Sequence, residues 1–314
     1  MRTTFGIKNM QPLKKKTVVA IGVFDGVHLG HRMIIKKAIK EARRIKGEAV
    51  VLTFDPHPLY ILDHIRRPPR LVSLAHKLNI FKELGLDTCL VIKFDRKFSR
   101  LTPEEFIKRV LVDKLNASKV LVGKNFVFGK NKKGTPKTLK RLSKKYGFLI
   151  ERLNPLRMDG KIISSSLLRQ LIANGDLRTA SILLGRPVSV LGTVVTGKGL
   201  GRILGFPTAN VNPHHEVISP SGVYAVKIKL QNKLFNGILN MGRRPTFEFD
   251  KNIEPTIEAH IFGFNKNIYG KDLEILFIKK IRGERPFSSH ESLVKQIRRD
   301  VKIARKITGN KKIF

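Results

Sequence analysis

The chain has 314 residues, 41% of them hydrophobic, with a formal net charge of +38 and one cysteine, Cys89. This length predicts about two domains, the lack of any run of roughly 18 apolar residues argues against a membrane span, and a single cysteine excludes an internal disulfide. The charge alone would fit nucleic-acid binding. However, basic residues are spread over both halves of the chain without interleaved stacking aromatics. We therefore interpret the net charge as a compositional bias of an enzyme and expect no nucleic-acid partner.

The N-terminal segment, MRTTFGIKNMQPLKKK, lacks the apolar region of a secretory signal. Together with the absence of an apolar span, this predicts a cytoplasmic protein with no membrane partner. Cys89 lies in the strand-like run CLVI, which predicts a buried and inert thiol.

Strands and helices then alternate through the first half of the chain. Apolar runs predict the strands, and apolar residues at helical spacing predict the helices. Thr102, Pro103 and Glu105 form a capping box with proline at the first helical position. Apolar strands that alternate with helices predict a parallel sheet covered by helices. The predicted elements are strands at 18–23, 49–54, 88–94, 119–123 and 148–153, and helices at 31–46, 74–84, from 103, and 136–146.

The pattern changes after Gly185–Pro187, where strands follow one another with Gly, Pro and Asn between them. Ile228 between Lys227 and Lys229 is typical of a half-exposed antiparallel strand, and successive strands without helices predict a barrel. We therefore expect two domains, at 1–185 and 186–314. The remaining predicted elements are helices at 164–173 and 177–184, strands at 189–195, 223–230, 234–240, 256–262 and 273–281, and a final helix with a capping box at Ser288–Glu291.

The stretch GVFDGVHLGHR, residues 22–32, joins the first predicted strand to the first predicted helix. The amides and dipole of a helix N-terminus favour phosphate, Gly30 lets the backbone approach a ligand, and His28 and His31 can donate to phosphate oxygens. The stretch is neither a P-loop nor a dinucleotide fingerprint. Two alternatives stay open: a metal pair completed by His57, and a turn with incidental histidines.

Three further segments carry polar residues suited to phosphate or metal, each with a structural alternative. SSSLLR at 164–169 offers hydroxyls at a helix start, or only an N-cap. Glycines at 197–205 around Lys198 and Arg202 can cradle phosphates, and the oxygens of FPTAN at 206–210 suit Mg²⁺, although both fit plain turns. Glu258 shares a strand face with Thr256 and His260, which also fits a solvated polar face.

Several separated segments together resemble the bacterial bifunctional riboflavin kinase/FMN adenylyltransferase family. The resemblance implies an α/β N-terminal nucleotidyltransferase domain with a Rossmann-like parallel sheet, and a C-terminal antiparallel β-barrel riboflavin kinase domain with a C-terminal helix. The segments, in the family's order, are GVFDGVHLGHR at 22–32, TFDPHP at 53–58, GKNFVFG at 123–129, SSSLLR at 164–169, LGRP at 184–187, GRILGFPTANV at 201–211 and YGKDLEI at 269–275.

The resemblance also implies the chemistry. Riboflavin would be phosphorylated by ATP to FMN, and AMP would then pass from ATP to FMN, giving FAD and pyrophosphate. The implied partners are riboflavin, FMN, FAD and ATP, with Mg²⁺ as the metal and no permanently bound cofactor. A homo-oligomer is left open, and so is a chain that retains only one of the two activities.

In the first domain, the resemblance implies that His28 and His31 contact the ATP phosphates and stabilise the transition state. The other implied residues shape the loop (Gly22, Phe24, Asp25 and Gly30), place the nucleotide or flavin (Asn125), and close over the phosphates (Ser164, Ser165 and Arg169). Ser166 stands where the family usually has threonine, which keeps a hydroxyl.

In the second domain, the resemblance implies that Thr208 and Asn210 hold Mg²⁺ and the ATP phosphates. Glu258 would accept the proton of the riboflavin 5′-hydroxyl. The ATP loop would include Gly201, Arg202 and Pro207, and Arg282 lies where the family places flavin- or nucleotide-contacting loops. Departures from the family pattern flank that loop, at Thr196, Lys198 and Ile203.

Overall fold

The protein is represented by a computed structural model that describes residues 1–63, 65, 67–197, 199–214, 219–245 and 253–309. Backbone contacts divide the chain into two units. The first unit is Met1–Pro69 with Leu74–Ser165, and the second is Arg70–Ser73 with Ser166–Phe314. In the described part of the chain, no helix has the length and apolar character needed to cross a bilayer.

The first unit is a parallel sheet flanked by helices. Its elements are β1 (Arg2–Phe5), β2 (Thr17–Ile21), α1 (Leu29–Arg44), β3 (Glu48–Asp55), α2 (Pro58–Leu62), α3 (Leu74–Glu83), β4 (Thr88–Lys93), α4 (Arg96–Ser99), α5 (Pro103–Phe106) with a π-helical turn (Ile107–Val112), β5 (Ala117–Gly123), a 3₁₀ turn (Lys130–Lys132), α6 (Pro136–Tyr146), β6 (Leu149–Leu153), β7 (Arg157–Met158) and β8 (Lys161–Ile162). Six parallel strands follow the order β1-β4-β3-β2-β5-β6. The predicted Rossmann-like sheet is therefore confirmed.

The strand order places a binding site before any side chain is considered. From β2 the chain builds the sheet toward β3 and β4 on one side and toward β5 and β6 on the other. Ligands of open parallel sheets bind at the carboxyl ends of the strands where the order reverses. The loop that begins at Gly22, directly after β2, lies at that point.

Besides the short elements α2, α4, β7 and β8, which were not predicted, two features of this unit depart from the sequence prediction. The edge strand β1 was missed, because RTTF is short and has no run of apolar residues. The first helix begins at Leu29 rather than His31, because the His28 side chain caps it by accepting a hydrogen bond from the His31 backbone N–H, 3.4 Å away.

Cys89 is buried in β4, as predicted. Burial raises the pKa of its thiol to about 12. Because the thiolate is the reactive form of cysteine, this side chain is an inert part of the core.

The second unit begins with two helices and continues as a barrel. Its elements are α7 (Ser165–Ala173), which starts at the end of the first unit, α8 (Leu177–Leu184), β9 (Ser189–Val195), α9 (Leu200–Ile203), β10 (Ala209–Pro213), β11 (Gly222–Leu230), β12 (Lys233–Pro245), β13 (Ile253–Ile261), β14 (Asp272–Arg282) and α10 (His290–Gly309). The strands close in the order β10-β13-β12-β11-β14-β9, with antiparallel pairing. The predicted barrel and C-terminal helix are confirmed.

The two helices between the predicted domains belong to the second unit by their contacts. The Ser181 hydroxyl accepts a hydrogen bond from the Val188 backbone N–H at 3.1 Å, which ties α8 to the chain entering β9. The domain limit at 185 stays a prediction about function, whereas the contact boundary lies at Ser165/Ser166.

The predicted capping box of the last helix was wrong by one residue. Ser289 and Ser292 cap each other reciprocally, with backbone-to-hydroxyl distances of 3.2 and 3.3 Å. A serine hydroxyl can replace the longer glutamate in this motif because it accepts the same N–H, and the helix accordingly begins at His290.

Candidate active sites

The loop between β2 and α1 has a strained backbone. Phe24 and Val27 have φ values of 53° and 42°, a region that non-glycine residues rarely adopt. Both side chains are buried. Such residues cost on the order of 1–3 kcal/mol each and persist only where the surroundings hold them.

Side chains from three other segments hold this loop. The Val23 carbonyl accepts hydrogen bonds from the Thr53 hydroxyl at 3.0 Å and the Lys77 ammonium at 2.9 Å. The Asp25 carbonyl accepts one from the Ser165 hydroxyl at 2.9 Å. Thr53 lies on β3 and Lys77 lies on α3, so the loop is anchored to both a strand and a helix.

Lys77 and Thr53 were not predicted from the sequence. The helical period of α3 places Lys77 on the same face as Ile80 and Phe81, but this signal indicates burial and does not identify Val23 as its partner. Lys77 is 6% exposed, and a buried lysine is uncommon without a specific function or partner.

The two histidines of the loop form a stacked pair. Their ring centroids are 3.6 Å apart and the ring planes are 18° from parallel. His28 Nδ1 accepts the His31 backbone N–H, so the neutral His28 ring carries its proton on Nε2. His31 Nδ1 is buried and has no hydrogen-bond partner among the described residues.

Burial keeps both histidines neutral at neutral pH. It lowers the pKa of His28 to about 4. Burial lowers the pKa of His31 well below its usual value, and the nearby His28 and the positive charge of Lys77 lower it further. The imidazoles are therefore N–H donors rather than cations, and Lys77 supplies positive charge next to them.

The glycines of the loop make room for these rings. A Cβ on Gly30 would lie 3.2 Å from His28 Cε1, and one on Gly22 would lie 3.0 Å from Phe24 Cζ. From the sequence, Gly30 was expected to let the backbone approach a ligand. The structure adds a direct steric reason, which is that the His28 ring packs over Gly30.

The metal alternative finds no support in the described residues. No group of three or more His, Cys, Asp or Glu side chains there is arranged to hold a metal ion. His57, the expected third ligand, caps α2 by accepting the Leu59 backbone N–H at 3.1 Å.

The other predicted residues of this site lie near the same strand ends or at the start of α7. Asn125 is exposed and follows the carboxyl end of β5, the neighbour of β2. Asp25 is buried, Ser164 is half-buried and immediately precedes α7, and Ser165 contacts the loop as described. Arg169 lies one turn into α7, in the second unit.

In the barrel, strand register brings Asn210 and Glu258 together. They are directly opposite each other on β10 and β13, and opposite residues of an antiparallel pair share a face. Glu258 is half-buried, while its neighbours Ile257 and Ala259 are buried. The predicted alternation along this strand is confirmed. Register also places Asn240 of β12 opposite Glu258, a neighbour that the sequence reasoning missed.

The glycine-rich loop packs directly on the PTAN residues. A Cβ on Gly201 would lie 2.8 Å from Thr208 Oγ1, and one on Gly197 would overlap the Asn210 amide. The Phe206 backbone N–H donates to the Gly201 carbonyl at 2.7 Å, which closes the turn. The loop, Thr208, Asn210 and Glu258 thus form one cluster. Its hydroxyl, amide and carboxylate oxygens are of the type that Mg²⁺ binds in proteins.

The remaining residues predicted for the kinase site fall into two groups. Pro207 and Arg202 are exposed beside this cluster, and Lys198 lies outside the described residues. Arg282 donates from Nε to the buried Asp300 of α10 at 2.9 Å. This ion pair fastens the end of β14 to α10, so packing accounts for Arg282 without a ligand.

The fold and these clusters define a class: a two-unit transferase with one candidate ATP site at the switch point of a parallel sheet and another on a β-barrel. Family models agree, since the model described as FAD synthetase matches residues 10–167 and the model described as riboflavin kinase matches residues 184–308.

Relatives cover nearly the whole chain. The bifunctional riboflavin kinase/FMN adenylyltransferase of Buchnera aphidicola subsp. Schizaphis graminum is 37% identical over 98% of both chains. That of Bacillus subtilis is 39% identical over 91% of this chain and 90% of its own. A crystal structure named as a macrolide-efflux protein from Streptococcus pneumoniae has a TM-score of 0.83 at 29% identity, covering 99% of this chain and 100% of that one. The chain belongs to the bifunctional riboflavin kinase/FMN adenylyltransferase family.

Proposed function

We propose that this chain phosphorylates riboflavin to FMN at the barrel and transfers AMP from ATP to FMN at the parallel sheet, giving FAD and pyrophosphate. The observation that carries the proposal is the pairing, within one chain, of the His28–His31 loop at the switch point and the Thr208–Asn210–Glu258 cluster. ATP is the co-substrate of both steps, and residues 1–185 and 186–314 carry the two activities.

For adenylyl transfer, an oxygen of the FMN phosphate attacks the α-phosphorus of ATP. The new P–O bond forms as the bond to pyrophosphate breaks, so no enzyme nucleophile is needed. The Nε2–H of His28 and an N–H of His31 donate to phosphate oxygens whose charge grows in the transition state. The N-terminus of α1 and the Lys77 ammonium add positive potential at the same end of the sheet.

The other residues of this site position the substrates. Asn125 contributes an amide at the end of β5, and the family resemblance assigns Ser164 and Arg169 to contacts with the phosphates. Ser165 acts through the loop, because its hydroxyl is bonded to the Asp25 carbonyl.

For phosphoryl transfer, Glu258 accepts the proton of the riboflavin 5′-hydroxyl as that oxygen attacks the γ-phosphorus, and the bond from this phosphorus to ADP breaks. The Thr208 hydroxyl and the Asn210 amide oxygen would hold Mg²⁺ and the phosphates, while Gly201, Arg202 and Pro207 would border the ATP. Bound Mg²⁺ would offset the negative charge of the transferring phosphate.

A cytoplasmic location, the absence of a nucleic-acid partner and the oligomeric state stay predictions.

The test is a flavin-product assay. Purified protein incubated with riboflavin, ATP and Mg²⁺ is expected to accumulate FMN and then FAD, resolved by chromatography. Accumulation of FMN without FAD would remove the adenylyl claim. Formation of FAD from added FMN, but no product from riboflavin, would remove the kinase claim.

A further inference from the structure

His260 touches the PTAN segment through a side-chain hydrogen bond. Its Nδ1 atom lies 2.7 Å from the carbonyl oxygen of Pro207. The ring is held between Phe206 and Phe262, with centroid distances of 5.9 and 5.7 Å and edge-on geometry. His260 lies on β13 two residues beyond Glu258, so both side chains leave the strand on the same face.

This hydrogen bond lies just outside the strand ladder. Pairing between β10 and β13 includes Ala209 with Ala259, and Pro207 precedes the first residue of β10. The Pro207 carbonyl shares a planar peptide group with the Thr208 N–H. Holding the carbonyl therefore fixes the peptide plane that leads into Thr208 and restricts the positions that the Thr208 side chain can reach.

Thr208 is confined from the other side as well. A Cβ on Gly201 would lie 2.8 Å from Thr208 Oγ1 and 2.5 Å from the Phe206 carbonyl oxygen. The glycine-rich loop and His260 thus both restrain the segment formed by Pro207 and Thr208. A shift of the Pro207 peptide would move Thr208 Oγ1 relative to Asn210 and Glu258.

The hydrogen bond also assigns the histidine tautomer. A carbonyl oxygen can only accept, so Nδ1 carries the proton in this contact, and in the neutral ring Nε2 keeps its lone pair. The hydrogen bonds therefore assign one tautomer to each of these two histidines. His28 is protonated on Nε2, and His260 is protonated on Nδ1.

We propose that His260 is a positioning residue for phosphoryl transfer: its Nδ1–H holds the Pro207 carbonyl and so keeps the Thr208 hydroxyl aligned with Asn210 and Glu258 for the ATP phosphates. The proposal rests on the kinase function proposed above. His260 acts through Pro207 and Thr208 and does not itself transfer the proton.

Two substitutions at this position separate the hydrogen bond from the bulk of the ring. His260→Leu removes the donor, and His260→Asn keeps an N–H at a place equivalent to Nδ1. We expect His260→Leu to lower kcat for FMN formation on the order of 10²-fold, because small displacements of positioning groups have effects of this size. The KM for riboflavin should stay within about twofold, and His260→Asn should recover at least about tenfold of the lost kcat.

A matched control is available on the same barrel. His214 also makes a side-chain hydrogen bond, 2.9 Å from its Nε2 to Thr193 Oγ1, but it lies four residues beyond Asn210 in sequence, or roughly 13 Å at about 3.3 Å per residue. His214→Leu should leave kcat for FMN formation unchanged. FAD formation from added FMN should be unchanged in all variants, which verifies that the first unit is folded, and the retained KM for riboflavin verifies the same for the barrel.

A second measurement does not depend on turnover. In a ¹⁵N-histidine NMR spectrum, His260 is expected to show the Nδ1-protonated tautomer, and the signal should disappear in His260→Leu. An Nε2-protonated tautomer would overturn the proposal, as would a wild-type kcat in His260→Leu or an Asn variant no better than the Leu variant. If the unmodified chain made no FMN, the proposed kinase function would fail instead.

Discussion

Lys77 gives the sharpest test of how the adenylyl-transfer loop is held. Replacement of Lys77 by Met keeps the length of the side chain but removes its charge and its 2.9 Å hydrogen bond to the Val23 carbonyl. Thr53 still donates to the same carbonyl, so the loop loses one of its two anchors there. The strained backbone at Phe24 and Val27 then has less to hold it in place.

The magnitude follows from the hydrogen bond to the Val23 carbonyl. A hydrogen bond from a charged group contributes about 1.5–3 kcal/mol. If the whole amount is lost from the transition state, at about 1.4 kcal/mol per tenfold, FAD formation slows by roughly 10- to 150-fold. Thr53→Val removes a neutral donor worth about 1 kcal/mol and should slow it by only about fivefold.

The assay measures FAD from FMN and FMN from riboflavin on the same preparation. Lys77→Met should slow the first reaction and leave the second unchanged, which excludes unfolding of the barrel. Because the Lys77 charge lowers the pKa of His31, that pKa should rise in the variant, as followed by NMR. A wild-type rate of FAD formation together with an unshifted His31 titration would refute the assigned anchoring.

Three further predictions concern individual residues. The folded protein resists protonation of His28 until about pH 4, whereas the unfolded chain takes the proton near pH 6.5. Stability should therefore fall by about 3 kcal/mol between those pH values, and thermal unfolding of His28→Gln should show a shallower pH dependence. Gly30→Ala places a methyl group 3.2 Å from His28 Cε1, so FAD formation should drop by at least about tenfold while FMN formation persists; a wild-type rate of FAD formation in this variant would contradict the packing argument. Glu258→Gln should lower FMN formation by on the order of 10²–10⁴-fold with FAD formation from FMN intact, and a kinase rate near wild type would exclude Glu258 as the base.

Elements with a clear hydrophobic period could be predicted from the sequence, and weakly patterned ones could not. Helix α6 was predicted with the bounds that the structure shows, because Pro136 starts it and Gly147 ends it in a left-handed conformation. Strand β10 was missed because the sequence ANVNP contains one proline and two amide side chains, which are typical of turns. Its pairing with β9 and β13 is decided by partners far away in sequence.

The residues of the candidate sites likewise divide into those with a local sequence signal and those without one. GVFDGVHLGHR and PTAN stand out locally, because each combines glycine or proline with polar residues next to a predicted strand. Lys77 and Thr53 carry no local signal for contacting Val23, since their hydrogen bonds span 54 and 30 residues. The neutral state of the histidines also depends on burial, a property of the folded unit rather than of the motif.

The separation of two ATP-dependent reactions within one chain is tested most directly by His31→Ala, supplied with riboflavin, ATP and Mg²⁺ and followed by flavin chromatography. The account predicts that FMN accumulates at the wild-type rate and that FAD does not form. A parallel loss of FMN and FAD would contradict the assignment of the two reactions to separate sites.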